Sequence, residues 1–259
     1  MKLQDDSLRQ FLNELVIKYE HPGFIELDPI SIPHRYTNTA DIEISGLFAA
    51  VFSWGQRKTI INKTRELMSL MGDRPFDFIL HHSEKDLKQL IHFKHRTFQA
   101  TDLLYFIHFL KYHYSNHPTL EYAFIEKNTF QSLEHSLNYF RNYFFSLNDF
   151  PKRTTKHVSH PISGSTCKRL CMYLRWMVRN NKRGVDFGIW RTISPSDLKM
   201  PLDVHVHRVG IQLGLLRVEK PKWNTVLELT SHMKIFDPFD PVKYDFALFN
   251  LGVTHAPLL

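Results

Sequence analysis

Cysteine is nearly missing from this chain: its 259 residues hold two, Cys167 and Cys171. Two thiols four positions apart cannot build a four-thiolate zinc or iron–sulfur site, and they imply no disulfide framework. We read them as small core residues in a reducing cytosol. Glycine is sparse as well, ten residues against 21 Phe and 10 Tyr. That balance argues against a turn-rich β fold and for helices around an aromatic core. Long uncharged apolar runs are lacking, so no segment is expected to span a bilayer. The stretch Met1–Glu20 is amphipathic through Leu8, Phe11, Leu12, Leu15 and Val16, and lacks the apolar core of a signal peptide. A soluble cytoplasmic protein with no membrane partner is expected. Acidic excess is missing too: 33 Lys and Arg face 26 Asp and Glu, a formal charge of +7 before any of 16 His is protonated. Such a balance favours anionic partners, nucleic acid first.

What is present is helical periodicity. The chain length suits one domain or two lobes, and neither repeats nor low-complexity tracts are seen. Residues 21–39 hold Pro22, Pro29 and Pro33 and read as an extended connection. Asp41–Met71 reads as a helix pair broken at Ser53-Trp54-Gly55-Gln56-Arg57-Lys58, a polar, aromatic and basic corner. Further helices are expected at Phe76–His81, Lys85–Ile91, Thr101–Tyr114, Thr119–Ile125, Ser132–Phe145, Ser165–Arg179, Val204–Leu213, Asn224–Met233 and Val242–Leu251. Asn148–His160, with Lys152, Arg153 and Lys156, reads as a basic loop, and Asn180–Gly188 as a turn-rich insertion. No strand alternation is evident, so the expected class is all-α.

Two segments carry candidate chemistry. In Pro161-Ile162-Ser163-Gly164-Ser165-Thr166-Cys167-Lys168, Pro, Ser and Gly make a tight turn ahead of a helix, where backbone N–H groups suit a phosphate. Along that helix Lys168, Met172, Arg175 and Arg179 share a face, expected to be a solvated basic face or a phosphate-binding one. The second segment is Pro201-Leu202-Asp203-Val204-His205-Val206-His207-Arg208-Val209-Gly210. Here Asp203 reads as a helix N-cap, with Val206, Val209 and Leu213 forming the apolar stripe and His205 and Arg208 away from it.

Together these blocks resemble the helix–hairpin–helix superfamily of base-excision DNA glycosylases, most of all the 8-oxoguanine DNA glycosylases and their archaeal-type branch. The similarity extends to Phe52-Ser53-Trp54-Gly55-Gln56-Arg57 with Asn62-Lys63, and to Asp245-Phe246-Ala247-Leu248-Phe249-Asn250-Leu251-Gly252. The resemblance implies a two-lobed all-α fold with a modified helix–hairpin–helix element and a cleft between lobes. Residues 42–165 would form a helical bundle, and 1–41 with 166–259 the lobe bearing the reacting groups. It further implies that Lys168 attacks the sugar C1′, displacing an oxidised purine, with a Schiff base that permits strand cleavage by β-elimination. Asp203 would assist by taking the lysine proton and facing positive charge on the sugar. His205 matches a phosphate contact. Gly164, Ser165, Arg175, Arg179, Lys152, Arg153, Gln56 and Arg57 are further candidate DNA contacts. Met172 and Trp54 are candidates for the pocket of a base flipped out of the stack. The partner would be duplex DNA carrying a damaged base, met by a monomer associated with the nucleoid, with no cofactor and no metal.

The chain departs from the family pattern in three ways. Thr166 stands where the commoner hairpin places the lysine, which here lies two positions later at Lys168. The first hairpin glycine is missing from Pro161-Ile162-Ser163-Gly164, and no cysteines exist for a C-terminal iron–sulfur cluster. Two other readings fit the same residues. One is a non-catalytic DNA-binding protein, with Asp203 a cap and Lys168 a phosphate contact. The other is a metal-dependent hydrolase using Asp203 and His207, which would share a helix face.

Overall fold

The apolar periodicity resolves into helices almost throughout. The computed structural model describes residues 2–127, 129–180 and 183–254; Asn181 and Lys182 of the expected insertion, Met1 and 255–259 lie outside them. The helices are α1 (Lys2–Tyr19), α2 (Thr39–Phe52), α3 (Arg57–Leu70), α4 (Pro75–His81), α5 (Glu84–Lys88), α6 (Ala100–Tyr114), α7 (Leu133–Phe144), α8 (Lys168–Val178), α9 (Val204–Gln212), α10 (Trp223–Phe236) and α11 (Asp245–Thr254). The protein is thus predominantly helical. A two-stranded antiparallel ribbon, β1 (Lys94–His95) with β2 (Phe98–Gln99), corrects the expectation of no strands. Among the described residues no helix is long and apolar enough to cross a membrane.

Three further expectations are corrected. The proline-rich connection is wound into short 3-10 turns at Pro22–Leu27, Pro29–Ser31 and Pro33–Arg35. Each opens on a proline, whose fixed φ and missing N–H suit a first helical position. The expected helix at Thr119–Ile125 is a 3-10 turn over Leu120–Phe124, and the one at Lys85–Ile91 closes early, at Lys88.

The chain divides into two compact units, residues 27–159 and residues 1–26 with 160–259. The expected limits of the lobes move accordingly. Residues 27–41 belong with the bundle because their 3-10 turns pack on α2 and α3, and residues 160–165 belong with Lys168.

Unit 27–159 is centred on α2, buried from Ile42 to Phe52, and on aromatic side chains of α6 and α7. Phe109 lies 4.4 Å from Phe144 between ring centres, and Phe124 stacks on Phe140 at 4.1 Å. The one acid inside α2's buried stretch is fully satisfied. Glu43 accepts from Tyr114 Oη at 2.8 Å, from Leu120 N at 3.0 Å and from the Thr119 hydroxyl. A buried carboxylate left unpaired would cost several kcal/mol, roughly.

In the other unit α9 lies against α11, and α1 packs on α11. The approach of α9 to α11 is close: a Cβ on Gly252 would sit 2.7 Å from the Cβ of His205 and 3.0 Å from its carbonyl carbon. Tyr173 and Trp190 meet edge to face at 5.5 Å, and Phe24 meets Phe246 at 5.2 Å.

Candidate active site

Two helix starts supply the site. The first follows the turn at Pro161–Ser163, which closes through Gly164 N donating to Pro161 O at 2.7 Å. Gly164 sits at φ +75°, a left-handed conformation that glycine adopts without penalty. The Ser165 hydroxyl accepts from Cys167 N at 3.1 Å. Cys167, in turn, is left-handed at φ +50° and occupies the N-cap of α8 without a capping side-chain bond. A non-glycine residue held there costs roughly 1–2 kcal/mol, and it directly precedes Lys168.

The second start is the N-cap of α9. Asp203 Oδ1 accepts from His205 N and Val206 N, both at 2.9 Å. The cap expected from sequence is therefore present, and it leaves Oδ2 to face Lys168. Lys168 Nζ lies 4.0 Å from that oxygen, with the two side chains 25% and 17% exposed. The pair attracts electrostatically without a short hydrogen bond locking it, and both groups remain open to a ligand.

The remaining candidates fall into different places. Met172 is buried one turn beyond Lys168. His205 Nδ1 lies 3.3 Å from Gly252 O, and Arg208 Nη2 donates to the same carbonyl. That oxygen can only accept, so His205 carries its proton on Nδ1 and joins Arg208 in satisfying the C-terminal end of α11. His205 thereby gains a structural role beside the expected phosphate contact.

Arg175 and Arg179 are corrected outright as DNA contacts. They are 3% and 2% exposed, inside a cluster of acids. Arg175 Nε donates to Asp186 at 3.3 Å and its Nη1 to Asp245. Arg179 Nε donates to Asp240 at 2.9 Å, and its Nη1 to Asp186 at 2.9 Å and to Glu20. The face shared with Lys168 thus turns inward after the first turn, because four carboxylates from other segments await it.

Burial raises Asp245 to about 6 against the opposing pull of Arg175, with Asp203 pushing it further up and Lys168 acting downward. Burial likewise raises Asp240 despite Arg179. For Arg179, burial acts downward, but Asp186, Glu20 and Asp240 outweigh it and raise the guanidinium above its ordinary value. Asp245 appeared in sequence only as the first residue of a matching helix. Its partnership with Arg175 spans 70 positions and has no local signal.

The other candidates belong to unit 27–159. Trp54 is half-buried at the corner between α2 and α3, with the Arg96 guanidinium 4.6 Å above its ring and His95 at its edge. Gln56 is exposed at the N-cap of α3, and Arg57 is half-buried in its first turn. Lys152 is exposed, whereas Arg153 is tied to the fold. It donates to Thr97 O at 2.9 Å and to Gln99, and pairs with Asp102 at 3.3 Å. Among the described residues no three His, Cys, Asp or Glu side chains gather so as to hold a metal ion, and Asp203 Oδ1 is committed to its own helix.

The family described as protein of unknown function (DUF2400) matches residues 28–254, and the chain belongs to it. No curated protein and no solved structure matches the chain.

Proposed function

We propose that this member of the family is a DNA repair glycosylase and AP lyase that excises an oxidised purine, 8-oxoguanine, through a Schiff base on Lys168 assisted by Asp203. The observation that carries the reading is the meeting of Lys168 Nζ and Asp203 Oδ2 at 4.0 Å, across 35 positions of sequence, at two helix starts. A nucleophilic lysine needs a neutral amine and a nearby group to take its proton. A carboxylate fixed by two backbone N–H groups meets that need, and also suits positive charge developing on a sugar. In this reading Pro161–Gly164 is the modified hairpin, α8 its second helix, and the fold a two-lobed glycosylase. The start of α8, where the Cys167 side chain makes no capping bond, suits a DNA phosphate.

Lys168 gives its proton to Asp203 and its amine forms a bond to C1′ as the C1′–N9 bond breaks, the electron pair leaving with the purine, which solvent protonates. Opening of the sugar ring gives the protonated imine. Loss of a C2′ proton then expels the 3′ phosphate, cutting the strand. Flipping the nucleotide out of the stack is required because the bond is otherwise enclosed.

Borohydride reduces such an imine to a permanent crosslink. The full chain incubated with an 8-oxoguanine duplex and borohydride should form a covalent protein–DNA complex, and Lys168→Gln should form none. Equal crosslinking by the variant overturns the assignment. A panel of duplexes with other damaged purines reads the substrate preference.

A further inference from the structure

Inside unit 27–159 the ribbon of β1 and β2 is fastened to the corner between α2 and α3. His95 Nε2 lies 3.1 Å from Phe52 O, and Phe98 meets the Phe52 ring at 5.0 Å. Between these anchors stands the two-residue loop Arg96-Thr97. Arg96 holds a left-handed backbone at φ +55°, at a loop position that hairpins usually give to Gly, Asn or Asp. An arginine there carries a steric penalty and does nothing for the turn. Its side chain supplies the reason. The guanidinium stands over Trp54, 4.6 Å from the ring centre. Gly55, at φ +110°, leaves room for it, since a Cβ at that position would collide with Arg96 Nη1. Charge around the stack is of one sign: residues 53–65 and 92–101 hold Arg57, Lys58, Lys63, Arg65, Lys94 and Arg96 and no Asp or Glu. Lys63 meets Glu66 at 2.6 Å, while Lys58, Lys94 and Arg96 are exposed and meet no carboxylate among the described residues.

We propose that Trp54 and Arg96 form a stacking site for an unpaired base of single-stranded nucleic acid, with Lys58 and Lys94 supplying cations to its phosphates. A planar guanidinium held over an indole and exposed to solvent can extend the stack by one more ring. In a duplex the faces of each base are covered by its neighbours, so the ring that joins the stack is an unpaired one. The flanking backbone brings negative charge to a surface whose own acids are missing. This site goes beyond the base-excision reading and does not depend on Lys168 as a nucleophile.

Trp54 is also the reporter, because Trp176, Trp190 and Trp223 are buried. A short oligothymidylate is titrated into the full chain at constant salt, beside an abasic deoxyribose-phosphate chain of equal length. The oligothymidylate should quench tryptophan emission and the abasic chain should not. The abasic chain should also bind about tenfold more weakly, the scale of one stacked base. Arg96→Lys keeps the charge and removes the plane. It should lose about the same factor for the oligothymidylate and nothing for the abasic chain. Equal affinity of the wild type for the two chains overturns the proposal, and no variant has to fold for that comparison. Undiminished oligothymidylate binding by folded Arg96→Lys also overturns it, leaving Arg96 a fastening for the ribbon. A duplex of equal length that binds as tightly, with the same quenching, contradicts the preference for an unpaired base. Failure of borohydride trapping with these results intact removes the glycosylase reading and leaves the stacking site standing.

Discussion

Asp203 divides its two oxygens between structure and proposed chemistry: Oδ1 caps α9, while Oδ2 faces Lys168. Asparagine caps a helix about as well as aspartate does. Asp203→Asn should therefore keep stability within about 1 kcal/mol of the parent by denaturant unfolding. Turnover should fall on the order of 10²–10⁴-fold, as for loss of a general base. Equal losses of stability and activity would assign Asp203 to the cap alone. Arg175 and Arg179 show where residue-level reading stopped. Helical spacing puts them on the face of Lys168, but spacing does not say whether a face meets solvent or four acids from elsewhere in the chain. Arg175→Ala should destabilise by roughly 3–5 kcal/mol, since it leaves buried carboxylates uncompensated. Asp245 supplies a pH test. Its folded value of about 6 lies above the ordinary 3.8, so the folded state binds the extra proton between those values. Its contribution to stability is full below about pH 4 and is lost as pH rises through about 6. The thermal midpoint of the wild type should decline from pH 4 to 7 relative to that of Asp245→Asn, and parallel curves would contradict this.

At the scale of elements, periodicity made the long helices legible. The break at 53–56 and the cap at Asp203 were also legible, because each has a local chemical cause. The ribbon of β1 and β2 was not, since two residues per strand are too few to display alternation. The 3-10 turns within Pro22–Arg35 are not legible, because proline signals a break without saying that a 3-10 segment of three to six residues follows. The seam of α9 and α11 depends on a contact no sequence pattern announces. Gly252 lets the backbone of His205 approach, and a methyl group there must push α9 away. Gly252→Ala should destabilise by about 1–3 kcal/mol. A neutral result in chemical unfolding would mean that the helices separate without cost.

At the scale of the molecule, net positive charge pointed toward a polyanion, but burial decides which cations are available to one. Lys152 is exposed, whereas Arg175 and Arg179 are internal. Replacing Lys152 with Ala should lower the slope of log affinity against log salt by about one for duplex DNA. An unchanged slope would place the phosphate contacts elsewhere. The proposed site was legible as two residues, Lys168 and Asp203, because each stands in a short block with its own motif. The acidic cluster behind them was not, because it is assembled from α1, α8, α11 and two connecting segments. The central claim is that Lys168 bonds to the sugar, and peptide mapping of the borohydride-trapped complex tests it most directly. A crosslinked Lys168 blocks tryptic cleavage at that position, so the nucleotide-bearing peptide should run from His157 to Arg169. An adduct on any other residue, with cleavage after Lys168 intact, would contradict the account.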